Sequence, residues 1–349
     1  MIKPVAEFID ASRIWQKTTF QRGRILRTRG RDWERFDHPD HYADPSLVYG
    51  VGSRMPDMRL SFERQTEMAN ITRFSFPTLH PIEGYPYDET NRAAGRVYRN
   101  RRHPRAPVAI LSHGWAQNDR RAVEVIYVEP LLKAGYSVAV PSHPFHFERK
   151  PAGTYSGELM VSGDVLLTVE AFRQSVIDLL GLYNWLRDTG DLKVGLLGYS
   201  MGGYVAGLAA CVRGDLDFAV VASCDDSVIS PILDTAIGVN VREDLSWSGM
   251  HERRNLERAW GIISPGRLTL RIPKERVLMV SGVWDRVMTS GAVTRLWDKW
   301  GRPLISWQEH GHYTLLAFPG RVVRRSLPFL SRLTGVEPPP AARRNGGRS

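Results

Sequence analysis

Residues 194–212 read VGLLGYSMGGYVAGLAACV, nineteen positions without a charge. The length would suit a membrane helix. The centre, however, holds Gly198, Ser200, Gly202 and Gly203, which fit a buried strand, a sharp turn and a buried helix instead. A segment that is apolar on every side must be covered on every side, so it requires a large surrounding core. The chain can supply one: it has 349 residues, 42% hydrophobic and 24% charged. Those proportions exclude a disordered chain, a fibrous repeat and a disulfide-stapled miniprotein, and allow one large domain or two small ones.

The same rhythm extends to both sides. From Pro107 onward, short apolar runs alternate with helical stretches. Strands are expected at 108–112, 137–140, 193–197, 218–222, 276–280 and 305–307. Helices are expected at 123–134, with a kink at Pro130, and at 165–187, 202–212 and 292–300. Strand, helix, strand in this order implies a mostly parallel sheet with helices on both faces. Before Pro107, residues 71–76 and 95–98 read as a strand pair. Residues 5–19 read as a helix marked by Phe8, Ile9 and Trp15, and 20–60 looks irregular.

Parallel sheets place their sites at the carboxyl ends of the strands. Here those ends carry His113-Gly114-Trp115, His143 and His146, Gly198-Tyr199-Ser200-Met201-Gly202-Gly203, Cys224-Asp225-Asp226, Trp284-Asp285, and Glu309-His310-Gly311-His312. The G-x-S-x-G run is the most informative. It bends a strand into a helix with Ser200 at the apex. Its glycines leave room for the neighbouring backbone, and the N–H of Met201 lies at the helix start. The motif is short enough to arise by chance. Its setting between a strand and a helix is what the chemistry of an exposed nucleophile requires.

HGW at 113–115, GYSMGG at 198–203, GVWD at 282–285 and EHGH at 309–312 together resemble the α/β-hydrolase superfamily over about residues 70–335. The stretch PFHFERKP…GYSMGG is also similar to the abhydrolase-domain-containing protein 18 group. The resemblance implies an α/β-hydrolase fold with a short cap insertion, placed at 226–272. It also implies the chain order nucleophile, acid, histidine. Ser200 would be the nucleophile, His312 the general base and Asp285 the acid that orients it. His310 is the rival base, and Asp226 and Glu309 are rival acids. The N–H groups of Trp115 and Met201 would form the oxyanion hole, and Trp115, Tyr199, His143 and Trp284 would contact substrate. The implied activity is hydrolysis of a carboxylic ester, an amide or a thioester by a serine esterase. An acyltransferase, peptidase or carbon–carbon hydrolase on the same residues, or a non-catalytic interaction protein on the same fold, remain as alternatives.

No cofactor is required for this chemistry. His143 and His146 lack a clustered carboxylate, so no metal is expected. No nucleotide-binding fingerprint is present. The net charge of +10 is concentrated at the ends. Nine Lys/Arg stand against four Asp/Glu over 1–36, and seven against one over 321–349, which leaves the body near neutral. That distribution does not suit a nucleic-acid-binding domain. It allows weak contact of the ends with anionic membrane, or simply solvated ends. Cys211 and Cys224 are too few for a disulfide framework, and the N-terminus lacks an apolar signal core, so a cytoplasmic protein is expected. The expected organisation is an N-terminal extension at 1–70, a catalytic domain at 71–335 and a disordered basic tail at 336–349. The partner expected is a small-molecule or lipid ester.

Overall fold

The computed structural model describes residues 2–20, 26, 32–50, 52–191 and 193–337. Most of the expected tail lies outside them. Nine strands form one sheet in the order β1-β2-β3-β5-β4-β6-β7-β8-β9. They are β1 (Arg59–Gln65), β2 (Ala69–Pro77), β3 (Arg92–Asn100), β4 (Val108–Ser112), β5 (Ser137–Ser142), β6 (Val194–Tyr199), β7 (Ala219–Ala222), β8 (Val277–Gly282) and β9 (Leu304–Gln308). The pairs β1/β2, β2/β3 and β3/β5 are antiparallel, and the pairs from β5/β4 through β8/β9 are parallel.

The central strands β4, β5, β6, β7 and β8 are buried at every position, which is why they read as unbroken apolar runs. Their side chains alternate between two cores. Ile110 joins the core built on the helices Val165–Asp188 and Met201–Val212. Ala109 and Leu111 join the core under Tyr127, Leu131, Val322 and Phe329. The chain leaves β4 for β5 on one side and returns to β6 on the other. The reversal opens a crevice at the carboxyl ends of β4 and β6, where ligands bind in sheets of this kind.

Four features differ from the expectations. The helical stretch over 120–133 widens into a π turn at Glu124–Val128, and Pro130 stands in the first turn of the α-helical segment that follows, Glu129–Lys133. Pro130 has no N–H to give to the carbonyl of Ile126, and that oxygen instead accepts from the N–H of Gly320 at 2.8 Å. The helix Arg321–Thr334 stands where only a basic end was read. It buries Val322, Val323, Phe329 and Leu330 and turns its arginines outward. Strand β1 precedes residue 70 yet belongs to the same sheet.

The N-terminal helix, Lys3–Phe20, is the fourth. Phe8 and Trp15 are exposed, whereas Ala6, Asp10 and Ile14 face inward. The helix packs on the short helix His312–Leu316 and on residues 236–238. Among the described residues, no helix is long and apolar enough to cross a membrane.

Candidate active site

The turn from β6 into the helix Met201–Val212 carries Ser200 at φ 55° and ψ −124°. A non-glycine residue at positive φ is strained, by about 1–3 kcal/mol. Its surroundings hold it there. The N–H of Ser200 donates to Ala222 at 2.9 Å, and the N–H of Gly203 donates to Ser200 at 2.8 Å. A side chain at Gly202 would press onto the carbonyl of Ser112, so β4 and the turn can approach only around a glycine.

Ser200 Oγ lies 3.1 Å from His312 Nε2, and His312 Nδ1 lies 2.8 Å from Asp285 Oδ2. The three residues follow β6, β9 and β8. Asp285 cannot swing away, because its Oδ1 accepts from the N–H groups of Val287 and Met288, both at 2.8 Å. The carboxylate therefore accepts a hydrogen bond from Nδ1–H, which leaves the Nε2 lone pair toward Ser200. The rivals lie elsewhere. Asp226 turns outward and pairs with Arg295 at 2.8 and 3.0 Å. Glu309 is exposed, and His310 is partly exposed, its pKa lowered to about 4 by burial and by Arg321. Asp225, the neighbour of Asp226, is buried and accepts from the hydroxyl of Tyr204. Burial raises its pKa to about 7.

The N-terminal helix adds two groups that sequence reasoning missed. Asp10 is fully buried, and its carboxylate accepts from the backbone N–H of His312 at 2.6 Å and of Tyr313 at 2.9 Å. Burial raises the Asp10 pKa, against those two hydrogen bonds. A side chain at Gly311 would occupy the space of this carboxylate. Lys17 Nζ donates to the carbonyl of Trp115 at 3.2 Å.

The loop after β4 brings Trp115 beside Ser200. The indole of Trp115 donates to the carbonyl of Gly157 at 2.8 Å. Behind the loop lie His113, His143 and His146, all buried, with pKa values pushed well below the ordinary imidazole value by burial. His143 Nε2 bonds Ser112 Oγ at 2.7 Å, and the backbone N–H of His143 donates to His113 Nε2 at 3.2 Å. His146 Nε2 accepts from Ala116 N–H at 3.2 Å, while its Nδ1–H donates to Pro144. The neutral rings thus hold the loop from behind. Met201 is the first residue of its helix, so its N–H is one of the donors a helix leaves without an internal partner.

Two cavities meet at Ser200 and share Trp115 and Ile237 as walls. The first, about 50 Å³, is lined by Phe172, Met201, Tyr204 and Met288 and, from the segment 226–272, by Pro231 and Trp260. The second, about 210 Å³, contains His312, Lys17, Gln117, Tyr127, Tyr199 and Tyr313. The segment expected as a cap is helical at Ile229–Asp234, Val239–Trp247 and Arg253–Trp260. Of the residues expected to contact substrate, Trp115 lines both cavities and Tyr199 lines the second. His143 and Trp284 do not line either cavity. His143 is buried behind the loop, and Trp284 sits half-buried with its N–H on the carbonyl of His310.

Comparison with known proteins bears on the fold. The family model for alpha/beta hydrolase domain containing 18 matches residues 54–227. The uncharacterized protein Rv2627c of Mycobacterium tuberculosis is 30% identical over 213 residues, 60% of this chain and 50% of that one. This chain thus spans about half the length of that relative. Among solved structures, acetyl xylan esterase 1 from Thermoanaerobacterium sp. aligns with a TM-score of 0.57 at 17% identity, over 91% of this chain and 98% of that one. The acylaminoacyl peptidase of Pyrococcus horikoshii aligns with a TM-score of 0.53 at 14% identity, over 78% and 42%. At such identities these two similarities speak to the fold. Together with the sheet order, they show that the chain has the α/β-hydrolase fold.

Proposed function

We propose that this protein is a serine hydrolase that cleaves carboxylic esters through an acyl-enzyme. The observation that carries the reading is the continuous hydrogen-bonded chain from Ser200 through His312 to Asp285, on a strained turn that opens into two cavities. A serine hydroxyl is a weak nucleophile at its own pKa and needs an adjacent base. His312 takes the proton as Ser200 Oγ attacks the ester carbonyl. Asp285 steadies the imidazolium that forms. The oxyanion rests on the N–H groups of Met201 and Trp115, each worth about 3 kcal/mol of barrier. Collapse of the intermediate breaks the bond to the alcohol oxygen, which receives the proton from His312. Water, activated by the same imidazole, then releases the carboxylic acid and restores Ser200.

The test is hydrolysis of a panel of 4-nitrophenyl esters by the wild type and by Ser200→Ala and His312→Ala. The reading expects turnover in the wild type and a loss of at least about a thousandfold in kcat for each variant. Turnover that survives Ser200→Ala would place the chemistry elsewhere.

A further inference from the structure

The two cavities at Ser200 differ in charge. Among the described residues, no charged side chain lines the cap-side cavity, and one lysine, Lys17, with no carboxylate, lines the His312-side cavity. Lys17 comes from the inward face of the N-terminal helix. Its ammonium donates to the Trp115 carbonyl at 3.2 Å and stands 5.8 Å from the centre of the Tyr313 ring. Among the described residues no carboxylate forms an ion pair with it. A third cavity, to which Lys17 also contributes, contains Glu158 and Asp244, and neither forms an ion pair with the ammonium. An ammonium carries three donors, and the carbonyl uses one. Burial lowers the Lys17 pKa to about 8, so the group remains mostly protonated at neutral pH. Lys17 is half-buried, and an anion entering the cavity would give its ammonium the charged partner it lacks.

The mechanism decides which half of a substrate meets Lys17. His312 must hand its proton to the leaving oxygen, so the alcohol part occupies the cavity that contains His312, and the acyl part the cap-side cavity. Resting on the ester-hydrolase reading, we propose that Lys17 selects esters whose alcohol part carries an anionic group, a carboxylate or a phosphate, bound by its ammonium in the His312-side cavity. A purely structural Lys17 would only prop the Trp115 carbonyl.

The full-length chain is assayed with 4-acetoxybenzoate, 4-acetoxyphenyl phosphate, neutral methyl 4-acetoxybenzoate and cationic 4-acetoxyphenyltrimethylammonium. The proposal expects the wild type to favour at least one anionic ester over the neutral one by about tenfold in kcat/KM, mostly through KM. The two anionic arms show which anion fits. Lys17→Met abolishes the ratio, and Lys17→Glu moves the preference to the cationic ester. A wild-type ratio near one, or a Lys17→Met loss equal for all four esters, overturns the proposal. Calorimetric binding of the product 4-hydroxybenzoate needs no turnover. Equal binding to the wild type and Lys17→Met contradicts the anion site while leaving the hydrolase reading intact. Binding that depends on Lys17, with no ester cleaved, keeps the anion site and removes the hydrolase reading.

Discussion

The carboxylate of Asp10 holds the backbone N–H of His312, so a helix from the beginning of the chain fixes the imidazole that faces Ser200. Its second oxygen takes the N–H of Tyr313, and Gly311 leaves the space that the carboxylate fills. Asp285 fixes the ring, and Asp10 fixes the backbone that carries the ring. A shift of about 1 Å in such a group costs about a hundredfold in rate. Asp10→Ala is expected to lower kcat by roughly ten- to a hundredfold with a smaller change in KM, and Asp10→Asn to lose less. Rates of ester hydrolysis and thermal melting, measured together, check this. A fall in melting temperature without the kcat effect would reduce Asp10 to a purely structural role.

The acid partner is settled by a pair of substitutions. Asp285→Asn is expected to lower kcat by up to about 10⁴, because the amide favours the wrong imidazole tautomer. Asp226→Asn breaks only the outer pair with Arg295 and is expected to stay within about twofold of the wild type. Steady-state kinetics of the two variants distinguish them, and the reverse ranking would make Asp226 the acid.

The cap-side cavity sets a limit on the acyl group. Each water-sized group fills roughly 10–15 Å³, so about 50 Å³ admits about three to five heavy atoms. Acetate to butyrate esters are expected to be the best substrates, with kcat/KM falling by at least about tenfold at octanoate. A chain-length series of 4-nitrophenyl esters reads this directly, and a profile that rises to octanoate would show a cavity that opens.

Glu63 ties β1 to the sheet. It accepts from Arg73 on β2 and Arg96 on β3, each at 2.7 Å. Those hydrogen bonds, that of Arg96 first, hold its pKa down at about 2, against an ordinary value of 4.5. A depressed carboxylate pKa stabilises the fold above the unfolded value and loses that contribution as pH falls through the folded one. Glu63→Gln is therefore expected to lower the melting temperature fully at pH 6–7. The difference from the wild type should shrink between about pH 4.5 and pH 2. A difference that does not vary with pH would mean the glutamate charge contributes nothing.

What the sequence disclosed follows the range of the interactions. The strand–turn–helix around Ser200 is local, and its glycines announce the close approach of β4 and β6. The strands from β4 to β8 are buried on both faces and so appear as apolar runs. Strand β1 was hidden because Leu60 and Phe62 lie exposed at the sheet edge, without a buried face to mark it. The helix Arg321–Thr334 was masked by its arginines, which cover the outer side of an apolar stripe. Asp10 and Lys17 left no local signal. They lie on the face opposite the large apolar residues of their helix, and their partners are about 300 and 98 positions away in sequence. The inward side of a helix is chosen by what it packs against, and here that is partly the core that Ile14 joins and partly backbone groups that need an acceptor from Asp10 and a donor from Lys17.

The central claim is that Ser200 is an activated nucleophile. Its most direct test is labelling of the folded chain with a fluorophosphonate, with the adduct located by mass spectrometry. The account predicts a single adduct on Ser200, formed much more slowly in His312→Ala and absent in Ser200→Ala. Folded protein that remains unlabelled, or an adduct on another serine, would contradict it.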